Sequence, residues 1–287
     1  MLLAGCAGGG ERRPEVVVTT DILGDVTRMI AGAEAEVTVL MKPGADPHSF
    51  GVSAQQAARL ERASLVVHNG LGLEEGVLRH VEAARDAGVP ALAAAEAAGP
   101  IPYAGGDRPD PHFWTDPHRM AEAVDAIARQ VERIDGVDAA AVRANAAAYR
   151  RQVELLDAWM ERRLAPIPTA RRKLVTNHHV FGYFAERYGF EIVGAVIPGG
   201  AALASPSAAD LKELADAVRE HEVPAIFADS SQPDRLVRVL AAEAGVRVEV
   251  VALFTESLSA AGEGADTYLR MMRANTDAMA SGLGATP

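Results

Sequence analysis

Short strand-like runs alternate with helix-like segments along most of the chain, and this alternation is the feature that most limits its possible folds. Four β-rich runs bounded by Gly, Pro and Asp come first, at 15–20, 36–40, 64–68 and 89–93. One helix-like segment between them opens with a capping box, in which Ser53 precedes Gln56 by three residues. Strands that alternate with helices predict a mostly parallel sheet with helices on both faces.

A single long helix is predicted between two regions of this kind. Residues 137–164 carry no strand signal and consist of strong helix formers, and the segment is ended by Ala-Pro-Ile-Pro. At the ideal rise per residue such a helix is roughly 40 Å long. Four further strand-like runs then alternate with helices, at 173–177, 191–197, 225–229 and 248–254. The predicted fold is therefore two α/β lobes with mostly parallel sheets, joined by one long helix, with a ligand site in the cleft between them.

These patterns divide the chain into four parts. They are an N-terminal tether (1–14), an N-terminal α/β lobe (15–136), the linking helix (137–164) and a C-terminal α/β lobe (165–287).

The balance of 28 Lys and Arg against 39 Asp and Glu gives a formal charge of -11. That charge argues against a nucleic-acid partner, since no net basic surface is available for phosphates, and it favours a cation as ligand.

The tether contains the only cysteine of the chain, Cys6, at the end of a Leu-Ala-Gly-Cys sequence. These four residues resemble the lipobox of bacterial lipoproteins, in which the cysteine is acylated after the signal peptide is cleaved. The basic and apolar parts of a complete signal peptide are not included in the sequence. A tail with an incidental cysteine is the alternative, but we expect a lipid anchor at Cys6.

His48 is the first candidate ligand among eight histidines. It lies in a Gly- and Pro-rich loop directly after the predicted strand 36–40 and before the capped helix. Loops at the carboxyl ends of strands carry the ligand-binding residues of open α/β sheets. A solvated loop histidine remains an equal alternative for His48 taken alone.

The sequence Asp-Pro-His, which contains His48, occurs twice more, at 110–112 and 116–118. In the last copy Asp116 and the following proline suit the start of a helix, which places His118 on the surface of its first turn. In the middle copy no helix follows, and His112 precedes a Phe-Trp pair whose rings could exclude water from a buried imidazole. His112 is therefore the better ligand candidate.

His178 and His179 stand side by side after the predicted strand 173–177. This position predicts His178 in the turn and His179 at the start of the next helix. Adjacent side chains in such a turn point in different directions, so only one of them is expected to face the cleft. The position directly after the strand favours His178.

Glu256 follows the predicted strand 248–254 in the same way, although it would equally suit a helix cap or a surface position.

Two of these candidates come from each predicted lobe, so all four can converge at the cleft. Three neutral imidazoles and one carboxylate form a tetrahedral set that suits a divalent transition metal, zinc above all. A zinc hydrolase would also use three histidines, but it keeps one coordination position open for water and needs a general base. Here Glu256 fills the fourth position and no His-Glu-x-x-His motif occurs. We therefore expect a binding site and no catalysis.

Four segments carry a family resemblance. They are DPHSF at 46–50, DPHFWTDP at 110–117, HHVFGYFAERYGF at 178–190 and FTESLSAAGEGADTYLRMM at 254–272. Together with the long middle helix they resemble the metal-binding solute-binding proteins of bacterial ABC transporters, the zinc- and manganese-specific cluster A-I family. The segments occur in family order, and the resemblance covers nearly the whole chain after the lipobox.

The resemblance implies that His48, His112 and His178 are metal ligands. Glu256 stands where the family has an aspartate ligand, and its extra methylene leaves open whether one or both carboxylate oxygens bind. His179 falls at a position that is not a ligand in the family. His179 and Asp229 are candidates for residues that contact the ligands without binding the metal. The His- and acid-rich insertion that many zinc-specific members carry before the second Asp-Pro-His is absent.

The function implied is capture of Zn²⁺ outside the cytoplasm and its delivery to the membrane permease of an ABC importer. The carrier is expected to be a monomer held at the membrane by its N-terminal lipid. Manganese-specific relatives tend to have a carboxylate at the position of His178, so the histidine favours zinc. A manganese-specific protein of the same family, a metal-dependent adhesin and a zinc metallohydrolase are the alternatives.

Overall fold

The computed structural model describes residues 13–103, 106–197, 207–230, 235–245 and 249–284. Cys6 and the rest of the predicted lipobox lie outside these ranges. Among the helices within them, none combines the length and the apolar character that a membrane crossing requires.

The N-terminal lobe is built on a four-stranded parallel sheet with the strand order β2-β1-β3-β4. Its strands are β1 (Glu15–Val18), β2 (Glu36–Val39), β3 (Leu65–His68) and β4 (Ala91–Ala93). They alternate with helices α1 (Asp21–Ala31), α2 (Ala54–Leu60), α3 (Glu75–Asp86) and α4 (Ala94–Ala97). Alternate residues of β1 face different cores: Val16 and Val18 pack in the core that contains α1, and Val17 packs in the core that contains α2 and α3.

The C-terminal lobe repeats this arrangement with the parallel strand order β6-β5-β7-β8. Its strands are β5 (Lys173–His178), β6 (Glu191–Ile197), β7 (Ala225–Asp229) and β8 (Glu249–Leu253). Its helices are α7 (Gly182–Tyr188), α8 (Ala208–Glu220), α9 (Arg235–Glu243) and α10 (Tyr268–Gly282). Leu174 and Val175, neighbours on β5, again belong to two different cores. Both sheets therefore carry helices on both faces.

Two helices lie between the lobes in the chain, α5 (Pro117–Val131) and α6 (Ala139–Leu164). The carboxylate of Asp138 caps α6 by accepting hydrogen bonds from the first backbone N–H groups. α6 packs against α1, α5 and α10. One stripe of it is buried, at Val142, Ala146, Tyr149, Val153, Leu156, Met160 and Leu164. This stripe belongs to a single apolar core that includes residues of both sheets, so α6 joins the lobes by packing and not as a free linker.

The predicted fold class is confirmed: two lobes with parallel sheets are joined by one long helix. One local prediction at the cleft is wrong, because His178 is the last residue of β5 and does not lie in a turn. α7 also begins later than predicted, at Gly182. Strand pairing explains the difference, since His178 pairs with Ile197 of β6 and so extends β5 by one residue. The carbonyl of His179 accepts a hydrogen bond from the Tyr103 hydroxyl at 3.1 Å.

Candidate metal centre

Four side chains meet in the cleft, and they are the four that the sequence selects: His48, His112, His178 and Glu256. One ligand atom from each lies within 4.8 Å of the others. The Nε2 atoms of His48, His178 and His112 lie 2.7, 3.0 and 3.3 Å from the same carboxylate oxygen, Oε1 of Glu256. Three imidazole nitrogens therefore surround one carboxylate oxygen.

Elements of both lobes bring these side chains together. His48 lies in the loop after β2, and His112 directly precedes the short 3-10 helix Phe113–Thr115. His178 ends β5, and Glu256 follows β8 by three residues. The carboxyl ends of parallel strands in both lobes thus point to the same cleft, the usual position of ligand sites in open α/β sheets.

The site is almost closed to solvent. His112 is 0% exposed, Glu256 2% and His178 4%, while the His48 side chain retains 11% exposure. A cavity of about 240 Å³ lies beside His48 and His112, with Tyr103, Glu75 and Arg108 in its lining. His48 is therefore the member of the group on the solvent side.

The donor atoms fit a bound cation. The Nε2 atoms of His112 and His178 are buried, and neither has a hydrogen-bond partner of adequate geometry. Buried polar atoms without partners are rare because each carries a desolvation penalty. A metal ion among the three nitrogens and the Glu256 oxygen would bind all of these atoms at once. Three imidazoles and one carboxylate are also a ligand set that divalent transition metals accept.

The charges of the metal-free site are strongly coupled. Burial would raise the pKa of the Glu256 carboxyl, but His178, His112 and His48 outweigh it and hold that pKa well below its usual range. Burial would lower the pKa of His112, but Asp110 and Glu256 outweigh it and raise the pKa to about 9. Metal binding needs the neutral imidazole, so binding must release the proton of His112.

Asp110 orients His112, and the sequence reasoning did not identify it. Its Oδ1 accepts hydrogen bonds from the backbone N–H of His112 at 2.9 Å and from the ring Nδ1 at 2.7 Å, which leaves Nε2 facing the cleft. The Tyr183 hydroxyl donates to the Asp110 carbonyl at 2.7 Å. Gly182 leaves room for the carboxylate, since a Cβ atom there would lie 2.6 Å from Asp110 Oδ2.

The signal for Asp110 was present in the repeated Asp-Pro-His sequence. In all three copies the aspartate Oδ1 accepts a hydrogen bond from the backbone N–H of the histidine, at 2.8 or 2.9 Å. Only in the copy with Asp110 does it also contact the ring. In the last copy Asp116 caps α5 and His118 is exposed, as expected.

Asp229 and His179, the two residues expected to contact the ligands without binding the metal, lie next to the four candidate ligands. Asp229 accepts a hydrogen bond from the Thr255 hydroxyl, and its backbone N–H donates to Asn177 Oδ1 at 3.2 Å. It thus contacts the residues that precede Glu256 and His178. The ring of His179 lies 5.8 Å from that of Tyr103, and its buried Nδ1 has no hydrogen-bond partner.

Trp114 connects the His112 segment to the Glu256 loop. Its ring lies 5.3 Å from that of His112, as the expected shielding of this imidazole requires. Its indole N–H donates to the carbonyl of Thr255 at 2.8 Å, and its own carbonyl accepts from the Tyr268 hydroxyl at 2.9 Å. Trp114 therefore packs against the His112 ring and also joins the two lobes.

Two α/β lobes with four candidate metal ligands between them are the architecture of a two-lobed solute-binding protein for a metal ion. The model of the family described as zinc-uptake complex component A, periplasmic (ZnuA), matches residues 16–282. The chain belongs to this family, which confirms the resemblance seen in its sequence.

Relatives and a solved structure agree with this assignment. The chain is 31% identical over 278 residues to the zinc-binding protein TroA of Treponema pallidum, covering 94% of this chain and 89% of that protein. It is 29% identical to the manganese-binding lipoprotein MntA of Halalkalibacterium halodurans, covering 99% and 95%. It is also 29% identical to the iron-binding protein YfeA of Yersinia pestis, covering 94% and 86%. The structure of TroA superposes with a TM-score of 0.88 at 30% identity, covering 95% of this chain and 99% of TroA.

The chain is therefore a metal-binding, solute-binding component of an ABC metal-uptake system. Its family and its structural relatives are metal-binding transport proteins and not enzymes. Their names include zinc, manganese and iron.

Asp110→Asn should weaken zinc binding about 10- to 100-fold, the usual effect of losing a partner that orients a metal-binding histidine. The amide keeps an oxygen acceptor but removes the charge that holds His112 in place. Asp46→Asn is the matched control, because the Asp46 carboxylate contacts the backbone N–H of His48 and no ring contact is found for it. Calorimetric titration should give a near-native affinity for the control, and equal losses in both variants would contradict the role of Asp110.

Asp110→Asn and Asp46→Asn should also differ in how the stability of the metal-free protein depends on pH. The pKa of His112 is raised from 6.5 to about 9, so its contribution to stability is complete below pH 6.5 and is lost as the pH rises through about 9. Asp110→Asn should shift this loss to lower pH, and Asp46→Asn should not. Urea unfolding of metal-free protein between these pH values measures the effect, and identical profiles for Asp110→Asn and wild type would exclude it.

Proposed function

We propose that this chain captures Zn²⁺ outside the cytoplasm through His48, His112, His178 and Glu256 and delivers it to the membrane permease of an ABC importer. The observation that carries the proposal is the meeting of three imidazole nitrogens and one carboxylate oxygen, drawn from both lobes, within 4.8 Å. The buried Nε2 atoms of His112 and His178 support it further, because their contacts with Glu256 lack good hydrogen-bond geometry and a cation would satisfy both.

The ligand types favour zinc over manganese. Imidazole suits zinc, and a site with nitrogen and oxygen ligands binds Zn²⁺ more tightly than Mn²⁺ in the Irving–Williams order. All three nitrogens approach the same oxygen of Glu256, which supports binding through one oxygen and four-coordinate geometry. The relative TroA is named a zinc-binding protein, while MntA is named manganese-binding.

The presence of four candidate protein ligands supports a role in transport rather than in hydrolysis. A catalytic zinc keeps one position for water, whereas four protein ligands fill a tetrahedral shell. We propose that Asp229 and His179 act on this shell indirectly. Asp229 does so through the residues before Glu256 and His178. His179 does so through its backbone carbonyl, which accepts a hydrogen bond from the Tyr103 hydroxyl and is retained when the side chain is changed to alanine.

His178→Ala should lower zinc affinity by more than the roughly 100-fold that loss of an orienting partner costs, since a ligand itself is removed. It should also abolish most of the thermal stabilisation by zinc, which depends on binding to the native state. His48→Ala and His112→Ala should behave alike. His179→Ala is the matched control, with a half-buried ring directly beside the ligand. Calorimetry and thermal melts of each variant measure both effects, and near-native affinity in His178→Ala with a loss in His179→Ala would reverse the assignment.

Competition between Zn²⁺ and Mn²⁺ tests the choice of metal. Wild-type protein should bind Zn²⁺ well above Mn²⁺, and His178→Glu should shift the relative preference toward Mn²⁺ while lowering zinc affinity, because a carboxylate suits the harder ion. Metal analysis of protein purified without added metal provides an independent measure. A wild-type protein that binds both ions equally tightly would exclude the zinc assignment.

We also propose that an acyl group on Cys6 holds the protein on the outer side of the membrane, as the lipobox-like sequence predicts. The relative MntA is named a lipoprotein, which supports this location. The precursor expressed with a signal peptide should partition with membranes, and Cys6→Ser should not, since acyl chains add membrane affinity for each buried methylene. Mass spectrometry reads the modification directly, and an unmodified Cys6 in processed protein would refute the anchor.

A further inference from the structure

The residue after Glu256 forms hydrogen bonds to the opposite lobe. The hydroxyl of Ser257 donates to Asp21 Oδ2 at 2.6 Å and accepts from the backbone N–H of Gly44 at 2.7 Å. The backbone N–H of Leu258 donates to the same Asp21 oxygen at 2.9 Å. We call Asp21, Gly44, Ser257 and Leu258 the Ser257 cluster.

The Ser257 cluster connects two loops that carry candidate ligands. Asp21 is the first residue of α1 in the N-terminal lobe, and Gly44 lies four residues before His48 in the same loop. Ser257 and Leu258 belong to the loop of Glu256 in the C-terminal lobe. Because His48 and Glu256 are themselves 2.7 Å apart, hydrogen bonds through Ser257 help to set the position of one ligand relative to the other.

Burial of the Asp21 carboxylate would destabilise the N-terminal lobe if that lobe stood alone. The residue is 5% exposed, and its Oδ1 is buried without a hydrogen-bond partner. Burial raises the pKa of Asp21 to about 6, against opposing hydrogen bonds from Ser257, from Leu258 and, more weakly, from the backbone N–H groups of Ile22 and Asp21 itself. A buried carboxylate destabilises a protein unless donors compensate it, and the two largest compensating hydrogen bonds, from the Ser257 hydroxyl and the Leu258 backbone N–H, come from the other lobe. Its position is therefore explained by the contact between the lobes.

We propose that Asp21 is a positioning residue for the metal centre: it holds the Glu256 loop against the N-terminal lobe and thereby slows release of the bound cation. The inference rests on the proposed function of the four-residue site. A movement of the Glu256 loop away from the N-terminal lobe would break the hydrogen bonds from Ser257 and Leu258 to Asp21. Bonds to a charged acceptor are stronger than neutral ones, and bonds that break during opening act on the dissociation rate more than on the association rate.

Stopped-flow release of Zn²⁺ into excess chelator tests this role. Asp21→Leu removes the acceptor at similar size and should release zinc about ten-fold faster, the factor expected for losing one or two hydrogen bonds, with little change in association rate. Asp21→Asn retains an oxygen acceptor, so its release should stay within about three-fold of wild type. An unchanged release rate in Asp21→Leu would overturn the proposal.

Asp25→Leu is the matched control on the same helix. The carboxylate of Asp25 accepts a hydrogen bond from the backbone N–H of Tyr268 at 2.9 Å, so it also joins α1 to the C-terminal lobe, but away from the Glu256 loop. Its loss should lower stability without faster zinc release. If Asp25→Leu releases zinc as fast as Asp21→Leu, a general loosening of the lobes explains both and the proposal is wrong.

Hydrogen exchange of metal-free protein separates this proposal from the proposed function. Asp21→Leu should speed exchange of the Leu258 amide, whose acceptor it removes, while Asp25→Leu should speed exchange at Tyr268 instead. Unchanged exchange at Leu258 overturns the positioning role, whereas wild-type protein that binds no zinc refutes the proposed function itself. If Asp21→Leu does not fold, Ser257→Ala replaces it, since it removes one donor to Asp21 and should also release zinc faster. Release as slow as in wild type would then count against the role of Asp21.

Discussion

The buried carboxylate of Glu256 is the group on which the arrangement of the cleft depends. A charge at 2% exposure is unfavourable unless it is compensated, and three imidazole nitrogens at 2.7 to 3.3 Å compensate it. Two of these nitrogens come from the N-terminal lobe, so the charge is stabilised only when both lobes are in place. The four-residue group therefore contributes to the contact between the lobes, and the conformation that compensates Glu256 is also the one that would suit the proposed cation.

The apolar core shared by both lobes limits how the contact between the lobes can open. The buried stripe of α6 and residues of both sheets, such as Val16 and Leu174, belong to one continuous apolar core. Separating the lobes as rigid bodies would expose part of that core, and burial is worth about 25 cal/mol per Å². Movements confined to the loops avoid this loss. A release mechanism that acts through the Glu256 loop, where the Ser257 cluster lies, is accordingly less costly than hinge opening about α6.

The sequence was sufficient for the order of strands and helices, the long helix and the four candidate ligands, because local patterns and a family resemblance carry those features. It placed His178 in a turn, because nothing in the local pattern shows that His178 pairs with Ile197 of β6. The partnership of Asp21 and Ser257 joins residues 236 positions apart, and no local pattern encodes it. Asp110, by contrast, could have been found from the Asp-Pro-His repeat, whose aspartate bonds the histidine backbone in every copy.

The charge of the site also bears on the kind of ion it accepts. Asp110 and Glu256 both contact His112, so with neutral imidazoles the group carries two negative charges in a nearly closed environment. In the metal-free protein a proton on His112, whose pKa is raised to about 9, offsets part of this charge. At the proposed site a divalent cation would replace that proton and neutralise both carboxylates, whereas a monovalent ion would leave one buried charge uncompensated. Asp110, whose Oδ1 accepts a hydrogen bond from Nδ1 of His112, would thus favour a divalent ion through its charge while its hydrogen bond orients the imidazole.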